Sequence, residues 1–417
     1  MTRPRRPLVL ARRALLVVVL IGAAVIPGRA SSGQVRHCTG LTCRTAGSIL
    51  WTRGLSGSWL AETGEAGTVP SQAGAYAASG GGIAAVGTGT TVTAFLEKSG
   101  KQLWQVSLRG IPPGSDIVGV RAFSGAVAVG VGGGQATGRD EVILSAKSGA
   151  ELRMYQAAAY GGAIEASPVT AVIVGPHAVT DYSNATGRAL WSRAVGPAEQ
   201  TWRVAGQYIY IEAGIGPGNG AGVMVLRRIS LRNGAERVVR PEGKGDGGFP
   251  GTLSAEVDGD VLFAAGNGVR AYNATTGKFL WSRPSAYVEL AESGQRTVYL
   301  ASGSQLIGVD VATDQVVSRA PVSVASSLYW VRGDVALGLD QNGLGEAWGY
   351  NLSTRRVAWS TSSLPWPHYF VDLSGLGGSA SPGSDLVLLA TCAKVGPAPS
   401  GSSQPACLQP ELAAVLA

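Results

Sequence analysis

The sequence predicts an all-β fold: an eight-bladed β-propeller of four-stranded antiparallel blades, or a seven-bladed one if one degenerate copy is misread, its ring closed by an N-terminal strand that pairs with C-terminal ones. Three observations carry this. A phrase of strand, polar turn and Trp-bearing strand recurs, at 92–105 (VTAFLEKSGKQLWQ), 179–192 (VTDYSNATGRALWS), 269–282 (VRAYNATTGKFLWS) and, in worn form, 347–360 (AWGYNLSTRRVAWS). With 61 glycines in 417 residues and only 15% charged residues, the composition suits many short strands joined by tight turns, since Gly accepts the positive φ such turns need. The last copy of the phrase is divided between the two ends of the chain.

Aligned on the turn, the copies place Gly47, Gly100, Gly149, Gly187, Gly234 and Gly277 in one column, with Asp314 and Arg355 in the same slot. Successive copies lie 37 to 53 residues apart, the spacing of a four-stranded blade. Four residues after the turn stand Trp51, Trp104, Arg153, Trp191, Val238, Trp281, Ser318 and Trp359. Five residues before it stand Phe95, Leu144, Tyr182, Ile229, Tyr272, Val309 and Tyr350, all bulky and apolar. The tryptophans, at one fixed blade position, are expected to pack each blade on the next. Two further strand-like runs precede each phrase, as 253–259 and 260–268 precede 269–282. Each unit therefore reads as strands A, B, C and a Trp-bearing D, with apolar side chains alternating along C.

In the divided copy, 45–54 (TAGSILWTRG) has the turn and strand D but no strand C before it, and 411–417 (ELAAVLA) supplies a strand C. Val415 takes the bulky apolar column. The C-terminal fragment stops where the N-terminal one resumes, so one sheet shared by both ends closes the circle. The four cysteines, Cys38, Cys43, Cys392 and Cys407, sit outside the central blades. An even count in an exported chain suggests two disulfides, with three pairings open. Cys392 with Cys407 would close one hairpin of the composite blade, and Cys38 with Cys43 would pin the segment entering strand D. Cross-pairing would staple the two ends directly.

Residues 1–30 read as a signal peptide or an N-terminal membrane anchor, 31–44 as a leader segment with a Cys pair, and 45–417 as the propeller. Five arginines and no acid precede an uncharged run from Ala14 to Gly28, which ends in the small residues of a cleavage site. That run is 15 residues long, short of the roughly 20 a spanning helix needs. The formal charge is +7, of which six come from arginines ahead of Ser31, leaving +1 for the remainder. A nucleic-acid partner, which needs clustered Lys and Arg, is not expected.

The phrase at 271–282 (AYNATTGKFLWS) and its copies resemble the repeat of the pyrroloquinoline-quinone-like propellers, over about 45–417. In the enzyme branch the resemblance implies a quinone over the hub, a calcium ion, an Asp base and a disulfide between adjacent Cys. This sequence has no adjacent Cys. Asp181, Asp258, Asp260, Asp310, Asp314 and Asp334 fall at turn or strand-edge places and read as turn chemistry. His37, His177 and His368 read as solvated loop residues. The expectation is a monomeric, non-catalytic exported scaffold in a bacterial cell envelope, without cofactor or metal, binding a protein or envelope ligand. It would lie outside the cytoplasm, secreted or held at the membrane by its N-terminus alone. The alternative is a quinone-dependent dehydrogenase with a divergent site. Long D-to-A and B-to-C loops would carry recognition. Among them Trp366, set between two prolines, with His368 and Tyr369, is the candidate binding face; Trp366 either anchors a partner or packs over the hub.

Overall fold

The computed structural model describes residues 33–34, 49–54, 59–60, 75–132, 139–157, 162–195, 202–205, 207–215, 223–239, 257–258, 261–266, 268–283, 287–290, 297–302, 305–320, 327–332, 335–339, 347–352, 354–360, 371–372, 386–396 and 406–416. The chain divides into two compact units, Met1–Ser31 and Ser32–Ala417, and all described residues belong to the second. Every regular element among them is a β-strand.

The strands form eight sheets among the described residues. The first takes Ala75–Gly80, Ile83–Thr88, Thr91–Leu96 and Gln102–Ser107 as strands A to D, paired antiparallel in chain order. Sheets two to seven repeat this order over 116–157, 162–194, 202–239, 257–283, 287–320 and 327–360. Gly33–Gln34 adds a fifth, parallel strand to the outer edge of the seventh sheet, opposite Trp359 and Ser360. These are the four-stranded units the repeat predicts, and the fold is propeller-like.

The recurring phrase builds a recurring bulge. In the first sheet Ala94 pairs with Trp104 and Phe95 with Gln102, so Leu103 is the extra residue. The same shift occurs at Asp181/Tyr182, Ala271/Tyr272, Gly308/Val309 and Gly349/Tyr350. A bulge leaves one residue unpaired and re-aims its side chain. The fourth sheet, with Val238 in the tryptophan column, shows no such shift.

The turn before each bulge needs a left-handed residue. Gly100, Gly149, Gly187, Gly234 and Gly277 have φ between 62° and 78°, and the non-glycines in their column, Asp314 and Arg355, adopt 58° and 56°. A Cβ on Gly100 would also fall 2.6 Å from the Trp51 ring, so that position needs glycine for both conformation and contact. Left-handed backbone costs a residue with a Cβ about 1–2 kcal/mol. Arg355 is exposed. Arg355→Gly is therefore expected to stabilise the protein by about 1 kcal/mol, read as a raised denaturant midpoint at unchanged slope.

Apolar seams join consecutive sheets. Trp104, Ile117, Val129 and Leu144 belong to the cluster between the first two, and Ile143, Tyr155, Ala163 and Ile173 to the next. Val172, Ile209 and Ile229 lie between the third and fourth, Trp281, Leu300 and Val309 between the fifth and sixth, and Tyr299, Ala336 and Tyr350 between the sixth and seventh.

The eighth sheet is assembled from both ends of the chain. Val371–Asp372, Leu386–Gly396, Ala406–Leu416 and Ile49–Gly54 lie in that order, with Ile49 opposite Val415 and Gly54 opposite Glu411. Trp51, Leu388, Leu412 and Ala414 pack on Ala84, Val86 and Phe95 of the first sheet.

One detail differs from the sequence reading, in which strand B ends at Cys392 and strand C follows Cys407. The second strand of this sheet runs past Cys392 to Gly396, and the third begins at Ala406, ahead of Cys407. Two register shifts between Cys392 and Val395 let the ladder continue past Pro410, which has no N–H to give. Cys392 is thus opposite Pro410, and Cys407 opposite Val395. The side chains of Cys392 and Cys407, and all of Cys38, Cys43 and residues 1–30, lie outside the described residues.

Candidate functional site

The tryptophan column reaches from each outer strand to the next sheet. Trp51 Nε1 donates to Glu97 O at 2.7 Å, Trp104 Nε1 to Ala146 O at 2.8 Å, and Trp281 Nε1 to Val311 O at 2.9 Å. Each acceptor lies three residues before the turn residue of the neighbouring sheet. Arg153 makes the same reach where Trp is replaced, its Nε donating to Asn184 O at 3.3 Å. A second latch follows two residues after the tryptophan: Arg53 Nε donates to Gly100 O at 2.7 Å, and Arg283 Nε to Asp314 Oδ1 at 2.9 Å. The sequence reading missed this arginine place, although Arg53, Arg193 and Arg283 all stand two residues after a Trp. Between the fourth and fifth sheets, Arg228 Nη1 donates to Thr275 Oγ1 at 2.6 Å. Trp191 and Trp359 depart from the pattern, since neither Nε1 has a partner. The Trp191 ring still covers Gly234 of the next sheet, whereas the wholly buried Trp359 lies over Gly349 of its own.

Two seams contain buried charge. Between the second and third sheets, fully buried Glu141 meets Arg121 at 3.4 Å, and Arg121 Nη1 also donates to Ala163 O at 3.2 Å. A Cβ on Gly162 would lie 2.5 Å from that guanidinium, so the cross-sheet contact needs the glycine. Tyr155 crosses the same seam, donating to Asn184 Oδ1 at 2.9 Å, and burial pushes its hydroxyl up to about 12.

Asp181 corrects an expectation. It lies inside a strand rather than at a turn, opposite Trp191 and Val172, at a place that holds Ala94, Ala271, Gly349 or Ala414 in other sheets. It is 7% exposed, and its Oδ1 has no partner. Burial first, and then the nearby Glu165 carboxylate, push its pKa up to about 6 from 3.8. The folded state therefore holds this proton more tightly than the unfolded one. Stability contributed at this site is greatest below pH 4 and falls as pH rises towards 6, each tenfold difference in proton affinity between the two states being worth about 1.4 kcal/mol. Asp181→Asn is expected to stabilise the protein by ~1–3 kcal/mol at pH 7.5, with the advantage shrinking towards pH 4. Chemical denaturation at the two pH values checks this; equal gains at both would contradict it.

The two faces of the sheet array differ. On one, the A-to-B turns interlock: a Cβ on Gly81 would fall 2.7 Å from Phe123 O, and one on Gly125 would fall 2.9 Å from Pro168 of the next sheet. The other carries the B-to-C and D-to-A connections. Its described part includes the loop 108–115, where Leu108 N donates to Thr90 O and Ile117 N to Gly89 O, both at 2.8 Å. That leaves Pro112, Pro113 and Gly114 exposed on an anchored base. His177 is exposed in a B-to-C turn of this face. The candidate face residues Trp366, His368 and Tyr369, and also His37, Asp260 and Asp334, lie outside the described residues. Asp310 does serve its turn, its Oδ1 accepting from Ala312 N and Thr313 N. Among the described residues no group of three or more His, Cys, Asp or Glu is placed to hold a metal ion.

No curated protein matches the sequence. Among solved structures, BamB from Moraxella catarrhalis aligns at 16% identity and a TM-score of 0.42, over 71% of this chain and 95% of that one. The computationally designed protein Ika8 aligns at 11% identity and a TM-score of 0.51, over 82% of this chain and 95% of its own. Hsv2 from Kluyveromyces lactis aligns at 9% identity and a TM-score of 0.43, over 67% and 94%. These likenesses bear on the fold alone. A family model described as outer membrane protein assembly factor BamB matches residues 89–361, well over half of the chain. Repeat, fold and match agree, and the chain belongs to this BamB-type family of PQQ-like β-propellers.

Proposed function

We propose that this protein is a non-catalytic, exported β-propeller of eight blades that serves as a protein-binding scaffold in the cell envelope. The match of residues 89–361 to a family described as an outer-membrane assembly factor carries this reading. Two features support it. Long B-to-C and D-to-A connections share one face above sheets that are latched to one another, and recognition favours loops held on a rigid base. The eighth sheet joins residues 49–54 to 406–416, which supports a ring in which the two ends of the chain share one blade. Export rests on the arginine-led apolar run of residues 1–30.

Photo-cross-linkers placed singly at Pro112 and at Trp366, on intact cells, test the function. The expected result is one recurrent envelope protein captured from both positions. No capture from either, together with robust dye reduction by the purified protein in the presence of pyrroloquinoline quinone and calcium, would overturn it.

A further inference from the structure

The C-to-D turns share a face with the A-to-B turns, opposite the long loops. On the first four sheets their tips read Lys-Ser-Gly-Lys at 98–101, Lys-Ser-Gly-Ala at 147–150, Ala-Thr-Gly-Arg at 185–188 and Arg-Asn-Gly-Ala at 232–235. Each tip exposes at least one cation: Lys98 and Lys101, Lys147, Arg188, Arg232. None of these five has an ion pair or side-chain hydrogen bond within the described residues, whereas Arg53, Arg153, Arg227 and Arg283 are all engaged. Beside the cation each tip holds a neutral donor. Ser99, Ser148 and Thr186 accept from the backbone N–H two residues on, at 3.4, 3.4 and 3.3 Å, which leaves each hydroxyl proton to give. Asn233 Oδ1 accepts from Ala235 N at 3.0 Å, which leaves its amide N–H groups. Of the acids flanking these tips in the chain, Glu97 is buried, Glu236 is paired with Arg227, and Glu151 is exposed. Contacts between sheets set the four tips in one row. A Cβ on Gly149 would fall 2.7 Å from the Trp104 ring, one on Gly187 3.5 Å from the Arg153 guanidinium, and one on Gly234 2.7 Å from the Trp191 ring. Each tip after the first therefore rests on the outer strand of the sheet before it.

We infer that this row binds a linear polyanion without bases, a chain of repeating phosphodiester or carboxylate groups such as an acidic envelope polymer. The inference goes beyond the scaffold reading and uses only the first four sheets. A cation with an O–H or N–H donor beside it is the donor set an oxyanion takes, and the row repeats that set once per sheet. Residues 31–417 carry a net charge of only +1, so these cations are gathered by the fold, at the turns of successive sheets, rather than by a basic run in the sequence. The side chains absent from the tips decide among anionic partners. Single-stranded nucleic acid is held by aromatic stacking as well as charge, protein interfaces centre on apolar and aromatic anchors, and a bilayer surface takes large apolar side chains into its acyl boundary. The four tips have no apolar side chain larger than alanine. The row also has an end. In the fifth sheet Thr276 gives its hydroxyl proton to Asn273 Oδ1, and the sixth tip has Asp314 and no cation. A chain lying along the row leaves the face with the long B-to-C and D-to-A loops open to protein partners.

The test titrates the full chain into end-labelled long-chain inorganic polyphosphate and, separately, polygalacturonate, read by fluorescence anisotropy across a salt series. Binding to at least one polymer is expected. Orthophosphate and galacturonate, at the same concentration of charged groups, should not compete, because a single group meets only one tip. The variant Lys101→Gln, Lys147→Gln, Arg188→Gln, Arg232→Gln should weaken polyphosphate binding at low salt by at least about tenfold and lower the slope of log Kd against log salt by about 3, since each cation lost retains about 0.7 of a counterion. A charge-matched variant, Arg109→Gln, Lys278→Gln, Arg319→Gln, Arg356→Gln, removes four cations outside the row and should change both quantities little. Unchanged thermal transitions show that both variants are folded. Equal losses in the two variants would mean attraction by net charge alone and would overturn the proposal. So would binding to neither polymer, or binding only to phosphatidylglycerol vesicles, which would assign the face to lipid. Capture from Pro112 and Trp366 is read separately, so the scaffold reading stands or falls on its own.

Discussion

Deletion of Pro410–Ala417 is expected to cause the largest loss of stability in the molecule. The strand Ala406–Leu416 is paired on one side with Leu386–Gly396 and on the other with Ile49–Gly54. Its Leu412, Ala413, Ala414 and Val415 are all buried. Removing most of it strips the ladder from both neighbours at once. Each buried backbone group left without a partner costs about 1–3 kcal/mol, and whole domains are stable by only about 5–15 kcal/mol. Repeat arrays can lose their ends before their middle, so unfolding should begin where the composite sheet was. Limited proteolysis followed by mass spectrometry should show cleavage around Trp51 first, with the seam to Ala84 and Phe95 opening next. An unchanged thermal midpoint together with unchanged protection at Trp51 would sink this account of the eighth sheet.

Glu141→Ala should produce the next largest effect. It leaves the Arg121 guanidinium, itself 14% exposed, in a seam where Glu141 is fully buried. Breaking a buried ion pair from one side costs about 3–5 kcal/mol, because the remaining charge keeps its desolvation penalty and loses its partner. Replacing both residues with apolar ones of similar volume, Arg121→Met with Glu141→Leu, should be far milder, for the same reason. The measurement is a double-mutant cycle in urea. A double variant at least as unstable as Glu141→Ala would mean that the pair contributes through its geometry with Ala163 and Gly162 rather than through charge balance.

Much of the fold was legible because the repeat writes the same physical requirement many times. The turn column is an example: its glycines adopt positive φ, and Asp314 and Arg355, placed there by alignment alone, adopt it too. The composite sheet was legible for the same reason, since Val415 falls in the apolar column and indeed pairs with Ile49. What stayed hidden depends on how strands meet. The exposure of Leu103 and Leu190 follows from a bulge, which is a mismatch between two strands and leaves no mark in either one alone. Asp181 passed for a turn residue because it stands only six positions before Gly187 and Asp310 does serve its turn; its burial is decided by Trp191 opposite and the fourth sheet beyond. The hairpin that continues past Cys392 depends on two register shifts around Pro410, which no spacing of cysteines records. The loop face is the least legible part, since recognition by loops follows from their shape, and length alone locates only where they emerge.

The central claim is that eight copies of one phrase form one closed ring, completed between the seventh and eighth sheets. A density map of the purified protein viewed down the ring axis tests it most directly. It should show eight blades, with residues 49–54 and 406–416 in a single blade that packs on Trp359 on one side and on Phe95 on the other. A map with seven blades, or with a gap between the sheet ending at Ser360 and the one beginning at Val371, would contradict it.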